Sequence, residues 1–165
     1  MEEILNTMDL MAVSEFNTIH NYIDTKAMIL RKGAISAKLG EQLIIPINMR
    51  DGSLICRGKG NEDWNESAPH GAGRLMSRAK AKEAFYVDEF QKQMDGIYTT
   101  SVGRDTLDEC PMAYKRMEDI VGNIADTAHI EKIINQSTTL KQAGNNSHDF
   151  TTFINASTVA ELTVL

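Results

Sequence analysis

Residues 61–78 read NEDWNESAPHGAGRLMSR and join a strand-rich part of the chain to a helix-rich part. Pro69 restricts the backbone directly before His70, while Gly71 and Gly73 permit close approaches that a side chain would block. Helix-forming residues follow directly. Because a glycine turn that leads into a helix presents backbone N–H groups and a favourable dipole to anions, the stretch predicts a histidine beside a phosphate site.

Two arginines, Arg74 and Arg78, follow His70 and would share one face of a helix. A neutral imidazole nitrogen can attack phosphorus, and guanidinium groups can neutralise phosphate oxygens. The alternative is an ordinary turn with a surface histidine and a solvated basic helix. The special residues around the turn favour a functional site. Trp64 among them is predicted to be a packing anchor rather than a base-stacking residue.

The hydrophobic pattern predicts an α+β fold, with a mixed sheet and flanking helices. Strands are predicted at residues 28–37, 42–49, 53–57, 97–102 and 130–134. Helices are predicted at residues 74–85, 87–95 and 111–127. Ser77 is predicted to cap the first helix, and Asp51-Gly52 favours a hairpin turn. Three segments result, namely a lead at 1–13, a body at 14–134 and a polar, disordered tail at 135–165.

Composition limits the classes of protein to which the chain can belong. Its 165 residues suffice for one domain with a hydrophobic core. No apolar run is long enough to span a bilayer, and the acidic N-terminus does not resemble a secretory signal. Cys56 and Cys110 lack metal-type spacing. They are predicted to be small buried hydrophobes in a reducing, cytoplasmic compartment.

The charge is unevenly distributed along the chain. A net charge of −6 argues against a chain that grips nucleic acid by itself. Residues 20–82 carry eleven Lys and Arg against six acids, whereas residues 83–165 carry six against thirteen. The positive part coincides with the candidate phosphate site, which favours function over chance segregation.

Four other positions have two interpretations each. A lone His20 cannot make a metal site, and the residues alone favour a hydrogen-bonded structural role. The pair Arg31-Lys32 either contacts phosphate or faces water. Tyr114 is either half-buried with its hydroxyl in water or an aromatic face for a base. Glu109 either orients a hydroxyl or holds a turn.

Five motifs that occur in order carry a family resemblance. They are Asn17-Thr18-Ile19-His20-Asn21-Tyr22, Arg31-Lys32-Gly33-Ala34, Ile44-Ile45-Pro46-Ile47-Asn48-Met49, Ser67-Ala68-Pro69-His70-Gly71-Ala72-Gly73-Arg74 and Pro111-Met112-Ala113-Tyr114-Lys115. Each motif alone is weak, but five in register are specific. Over residues 14–134 the chain resembles the C-terminal part of the RtcB family of RNA-splicing ligases.

The resemblance implies a GTP- and manganese-dependent RNA ligase. Such an enzyme joins RNA 3′-phosphate or 2′,3′-cyclic phosphate ends to 5′-hydroxyl ends through a guanylated histidine. It implies that His70 is the catalytic residue, that His20 is a manganese ligand, and that Tyr114 stacks on guanine. The residues implied to contact the guanylate are Pro46, Ile47, Asn48, Met49, Ser53, His70, Gly71, Ala72, Gly73 and Tyr114.

The chain departs from the family pattern in two respects. Where the broad family has Pro-Gly-Ser-Met, this chain has Pro46-Ile47-Asn48-Met49, so Asn48 is predicted to bond phosphate or ribose. The family's other manganese ligands precede the region of resemblance, and we expect a complementary N-terminal ligase chain to supply them. The alternative is a non-catalytic remnant that binds guanine nucleotide or a partner weakly. The surface meant for the missing half is expected to appear as an exposed apolar patch on one sheet face and to promote association.

Overall fold

The computed structural model of the protein describes residues 16–135 and the backbone of Thr138–Thr139. The predicted lead at 1–13 and most of the predicted tail lie outside the described residues. The strands are β1 (His20–Asp24), β2 (Ile29–Ser36), β3 (Gln42–Asn48), β4 (Gly52–Gly58), β5 (Ser67–Pro69), β6 (Tyr98–Thr99), β7 (Ala128–Ile134) and β8 (Thr138–Thr139). The helices are α1 (Arg78–Ala84), α2 (Val87–Gln93) and α3 (Met117–Asn123), and short 3-10 turns span Glu62–Trp64, Arg104–Glu109 and Pro111–Ala113.

The predicted α+β class is confirmed, although the described strands form separate sheets rather than one mixed sheet. The first sheet has the order β1-β2-β5 and the second has the order β3-β4-β7, both antiparallel. Strands β6 and β8 form a short parallel pair. The predicted strands at 28–37, 42–49, 53–57 and 130–134 are confirmed, with β7 beginning two residues earlier than expected.

Two hydrophobic cores hold these elements together. The larger core lies between the two sheets and α3, and includes Ile35, Leu43, Leu54 and Ile124. The smaller core gathers α1, α2 and the 3-10 turns Arg104–Glu109 and Pro111–Ala113 around the buried ring of Phe90. Tyr114 packs against both cores, so the segment that carries it lies where they meet.

Three predicted elements are shorter in the structure than the sequence indicates. The helix predicted at 74–85 begins at Arg78, because Ser77 caps it by accepting a hydrogen bond from the backbone N–H of Lys80. The strand predicted at 97–102 reduces to Tyr98–Thr99. The helix predicted at 111–127 is broken, since the 3-10 turn ends at Ala113 and α3 starts only at Met117.

Exposed apolar side chains occur on the β1–β2 hairpin. Ile23 and Leu30 face each other directly in the register and are 67% and 71% exposed. Met28 in the connecting turn is 85% exposed. This set matches the expected apolar sheet face, whereas its effect on association stays a prediction. Trp64 is 57% exposed, so the prediction that it anchors the packing is wrong.

Candidate functional site

The loop that carries His70 crosses from one sheet to the other. It leaves the first sheet at the end of β5, where the backbone N–H of His70 donates to the carbonyl of Gly33 on β2 at 3.4 Å. Two residues later, the N–H of Ala72 donates to the carbonyl of Pro46 on the edge strand β3 at 3.1 Å. A Cβ on Gly71 would lie 3.2 Å from that same carbonyl oxygen, so a residue without a side chain suits this crossing.

The loop then pairs with the segment around Tyr114. Arg74 and Tyr114 form an isolated antiparallel bridge. The N–H of Leu75 donates to the carbonyl of Ala113 at 2.8 Å, and the N–H of Lys115 donates to that of Gly73 at 3.1 Å. This pairing explains why no helix continues through Tyr114, whose backbone is extended with φ −111° and ψ 157°. The prediction that Tyr114 lies in the first helical turns is therefore wrong.

The structure places the imidazole rings of His20 and His70 against each other. Their centroids are 5.1 Å apart and their planes differ by 18°, and both side chains are exposed. A register shift in β1 follows His20, and Asn21 has φ +56°. The Asn21 carboxamide oxygen accepts a hydrogen bond from the N–H of Gly33 at 2.7 Å. Gly33 itself has φ +68°, and a Cβ placed on it would lie 3.8 Å from atoms of the His70 ring.

Ser53 lies near this crossing but is enclosed. It sits directly opposite Pro46 in the β3–β4 register. Its side chain is 1% exposed, and its hydroxyl has no hydrogen-bond partner among the described residues. A buried hydroxyl without a partner is uncommon in folded proteins, because its desolvation is left without compensation.

The rest of the predicted guanylate-contacting strand faces other partners. The Asn48 side chain closes the β3–β4 turn: its amide donates to the Asp51 carboxylate at 2.8 Å, and its oxygen accepts from the N–H groups of Arg50 and Asp51. The side chains of Ile47 and Met49 lie in the larger and smaller cores. Contact between these three residues and a nucleotide stays a prediction, with the side-chain amide of Asn48 committed to the turn.

The two arginines after His70 are engaged by a buried acid pair, Asp108 and Glu109. Arg78 reaches Asp108 at 2.6 Å and also contacts Glu109. Arg74 lies 3.8 Å from Glu109 and donates to the hydroxyl of Tyr114 at 3.1 Å. Burial acts to raise the pKa of Asp108, but the hydrogen bond from Arg78 and the nearby Lys82 outweigh it and lower that pKa. Arg74 lies outside α1, so the expected shared helix face is wrong.

Glu109 contacts a hydroxyl, as the first of its two interpretations requires, and it also ends the 3-10 turn Arg104–Glu109. It accepts a hydrogen bond from the Tyr114 hydroxyl. The pairing of Asp108 and Glu109 with Arg74 and Arg78 was not predicted from the sequence. Two adjacent acids and two arginines four residues apart were the available signal.

Arg31 was predicted either to contact phosphate or to face water, but its side chain is buried, at 1% exposed. It donates to the hydroxyls of Ser67 and Tyr22 at 2.9 and 3.1 Å, and to the carbonyls of Asn65 and Glu66 at 3.1 and 3.3 Å. It therefore joins β1 and β2 to the residues that lead into the His70 loop. The adjacent Lys32 is exposed.

A sequence model described as tRNA-splicing ligase RtcB matches residues 2–145. The chain belongs to the RtcB family. It is 34% identical over 147 residues to RNA-splicing ligase RtcB1 of Escherichia coli strain ATCC 25922, a match that covers 86% of this chain and 36% of that relative. It is 36% identical over 137 residues to RNA-splicing ligase RtcB of E. coli K12, covering 79% and 33% of the two chains.

An archaeal RtcB, the tRNA-splicing ligase RtcB of Aeropyrum pernix, is 34% identical over 127 residues, which cover 66% of this chain and 26% of that one. The chain thus spans 26–36% of the length of these three curated RtcB relatives. Within residues 16–135, no three His, Cys, Asp or Glu side chains are grouped so that they could hold a metal ion. None of the described helices is both long and apolar enough to cross a membrane.

Proposed function

We propose that this chain carries the nucleotide-attachment site of an RtcB-type RNA ligase. In this proposal His70 accepts guanylate from GTP, and the assembled enzyme joins RNA 3′-phosphate or 2′,3′-cyclic phosphate ends to 5′-hydroxyl ends. The observation that carries the proposal is the exposed ring of His70, on its loop, stacked on the ring of His20 in β1 with centroids 5.1 Å apart. The family membership supports the ligase class, and the buried free thiols of Cys56 and Cys110 suit the reducing cytoplasm.

The attachment step is a nucleophilic displacement at phosphorus. A lone pair on an imidazole nitrogen of neutral His70 forms a bond to the α-phosphorus of GTP. The bond from that phosphorus to the bridging oxygen breaks, and pyrophosphate leaves with the bonding electrons. The product is one guanylate on His70, which the RNA 3′-phosphate then accepts. The exposed imidazole sits on a loop whose backbone is hydrogen-bonded at His70, Ala72, Gly73 and Leu75, which satisfies the need for a positioned nucleophile.

Two other side chains fit a bound guanylate. Tyr114 offers an aromatic ring to the base, and hydrogen bonds that join its neighbours Ala113 and Lys115 to Leu75 and Gly73 hold its segment in place. The unpartnered hydroxyl of Ser53 lies opposite Pro46, whose carbonyl contacts the His70 loop. A ligand group that reached this hydroxyl would offset its desolvation.

Manganese does not fit the described residues alone. His20 and His70 supply two imidazoles, and His70 is needed as the nucleophile. The donor set of residues 16–135 contains no group of three ligands. Manganese sites generally draw on several oxygen and nitrogen ligands. We therefore derive no step through the metal, and assign the missing ligands to a complementary N-terminal ligase portion.

The incomplete donor set favours a second candidate for the chain by itself. Without a complementary portion, it would be a non-catalytic module that binds guanine nucleotide or a protein partner weakly. The two candidates differ in one measurable property, namely a covalent adduct on His70.

Intact-mass spectrometry after incubation with GTP and Mn²⁺ tests the proposal. The chain is measured alone and with the portion of the E. coli K12 relative that lies outside the match. We expect an added mass of one GMP in the mixture, lost in His70→Ala and retained in His129→Ala. His129 is the matched control because it is an exposed histidine on β7. An adduct that survives His70→Ala, or a mixture without adduct, would overturn the ligase proposal and leave the second candidate.

A further inference from the structure

We propose that Glu109 is a positioning residue that fixes the ring of Tyr114 through its hydroxyl, and so sets the aromatic face offered to guanine. This inference rests on the proposed function. Glu109 ends the 3-10 turn Arg104–Glu109 and is 2% exposed. Its carboxylate is already occupied by Tyr114 and Arg78, so it is placed to orient other groups rather than to touch a substrate itself.

The backbone pairing around Tyr114 fixes the Cα position but leaves the ring to be oriented by its own contacts. The hydroxyl oxygen lies on the axis of the Cβ–Cγ bond, so contacts to it fix the ring chiefly through the Cα–Cβ torsion, whose staggered wells place the ring and its hydroxyl in different positions. The hydroxyl is held from two sides, because it donates to Glu109 and accepts from Arg74 at 3.1 Å. A phenol held between an anion and a cation has one preferred direction, and such charge-assisted bonds are the strong ones.

Arg74 is itself fixed, which makes the two ring faces unequal. Its Nε donates to the carbonyl of Met76 at 3.2 Å, and Nη2 donates to the carbonyl of Asp108. Its guanidinium carbon lies 5.0 Å from the centroid of the Tyr114 ring. One face therefore carries a cation–π contact, and a base would stack on the opposite face. Release of the hydroxyl would free the ring to leave this arrangement.

The burial of the Glu109 carboxylate also favours a positioning role. Removing a carboxylate from water costs free energy that its partners only partly offset, so a buried ion pair is weak evidence for a stabilising role. Burial raises the pKa of the Tyr114 phenol, and the hydrogen bond and charge of Glu109 raise it further. The hydroxyl thus keeps its proton as the donor to Glu109 throughout the neutral range.

The inference is tested with three variants, namely Glu109→Gln, Tyr114→Phe and the double variant. The matched control is Asp108→Asn. Asp108→Asn removes one charge from the same buried pair, but the hydrogen bonds of its carboxylate go to Arg78 and Lys82 rather than to Tyr114. The first readout needs no nucleotide. NMR of ring-labelled tyrosine should show altered Tyr114 ring signals in Glu109→Gln and wild-type signals in Asp108→Asn.

The second readout is the GTP dependence of adduct formation in the complemented mixture. We expect Glu109→Gln to raise the apparent KM for GTP about tenfold, the size expected for losing one charge-assisted hydrogen bond, with little change at saturating GTP. In the Tyr114→Phe background the same substitution should have no further effect. Asp108→Asn should keep the wild-type KM.

The outcomes separate this inference from the function on which it rests. Three outcomes would each overturn the positioning role. The first is that Glu109→Gln leaves the Tyr114 ring signals unchanged, and the second is that Asp108→Asn raises the KM for GTP as much as Glu109→Gln does. The third is that Glu109→Gln has its full effect on KM even in the Tyr114→Phe background. If the wild-type mixture forms no adduct, the proposed function fails and the nucleotide part of the inference fails with it. The NMR comparison would still decide whether Glu109 orients the ring.

Discussion

Replacing Arg31 by methionine tests whether this residue is part of the framework or a phosphate contact. The substitution keeps the length of an apolar stem and removes the guanidinium. Four hydrogen bonds disappear, to Tyr22, Ser67, Asn65 and Glu66, in a site where the side chain is 1% exposed. We expect a clear loss of stability because the hydroxyl and carbonyl partners lose a charged donor.

The expected magnitude follows from the number and setting of these bonds. Arg31 Nη1 also lies 3.8 Å from the Asp24 carboxylate, and breaking a buried charged pair costs about 3–5 kcal/mol. The lower end applies because Asn65 is exposed, and because the Ser67 hydroxyl also donates to the carbonyl of Asn65. At about 3 kcal/mol, and about 2–4 °C per kcal/mol for a chain of this size, the melting temperature should fall by about 6–12 °C.

Thermal and urea unfolding followed by circular dichroism measure the effect, with Lys32→Met as the control. Lys32 is the exposed neighbour of Arg31 on β2, so its substitution makes the same change in charge and should alter stability by less than about 0.5 kcal/mol. Arg31→Lys should recover little, since an ammonium group lacks the guanidinium fork. If Arg31→Met and Lys32→Met are equally stable, the framework role of Arg31 is refuted. If Arg31→Met loses nucleotide binding without losing stability, the interpretation of Arg31 as a phosphate contact is restored.

Three further predictions concern other parts of the described chain. Gly52→Ala should lower the stability measured by urea unfolding more than Gly40→Ala does. Both glycines have positive φ, but only a Cβ at Gly52 would overlap a carbonyl of β7. Equal losses of stability in the two variants would contradict this prediction. Burial raises the pKa of Cys56 to about 11, so only about a thousandth of this thiol is ionised at pH 8. Disulfide reagents should therefore label Cys56 only after the protein is unfolded in guanidinium. Ile23→Ser with Leu30→Ser should reduce self-association in sedimentation velocity, and a wild-type chain that is already a monodisperse monomer would show that this face does not drive association.

The parts of the fold that the sequence predicted correctly are those encoded by local pattern. Strands β2, β3 and β4 have apolar, β-branched runs, and Asp51-Gly52 marks the turn between the last two. Ser77 and the residues after it predicted the start of a helix. Strands β1 and β5 went unpredicted because β1 contains mostly polar residues and β5 has three residues. Both exist through pairing with β2.

The candidate site was predictable in its loop and unpredictable in its long-range contacts. Local residue types around His70 indicated a functional turn, and the family motifs indicated His20 and Tyr114. The stacking of His20 on His70 depends on the β1–β2 register, which no local pattern encodes. Tyr114 was misplaced in a helix because its segment has good helical neighbours. Pairing with residues 73–75 overrides that local preference.

The distribution of charge shows the largest difference between the sequence and the folded chain. The positive segment 20–82 suggested a phosphate cradle, yet its arginines pair largely with acids. Arg57 binds Glu131, and the arginines that follow His70 are engaged by Asp108 and Glu109. An arginine already matched by a buried carboxylate contributes little further attraction to a triphosphate. In the ligase proposal, the positive charge for the attachment step would therefore be supplied chiefly by residues of the complementary portion, which this chain does not span. This dependence is why the complemented mixture, rather than the isolated chain, is the decisive sample for the ligase proposal.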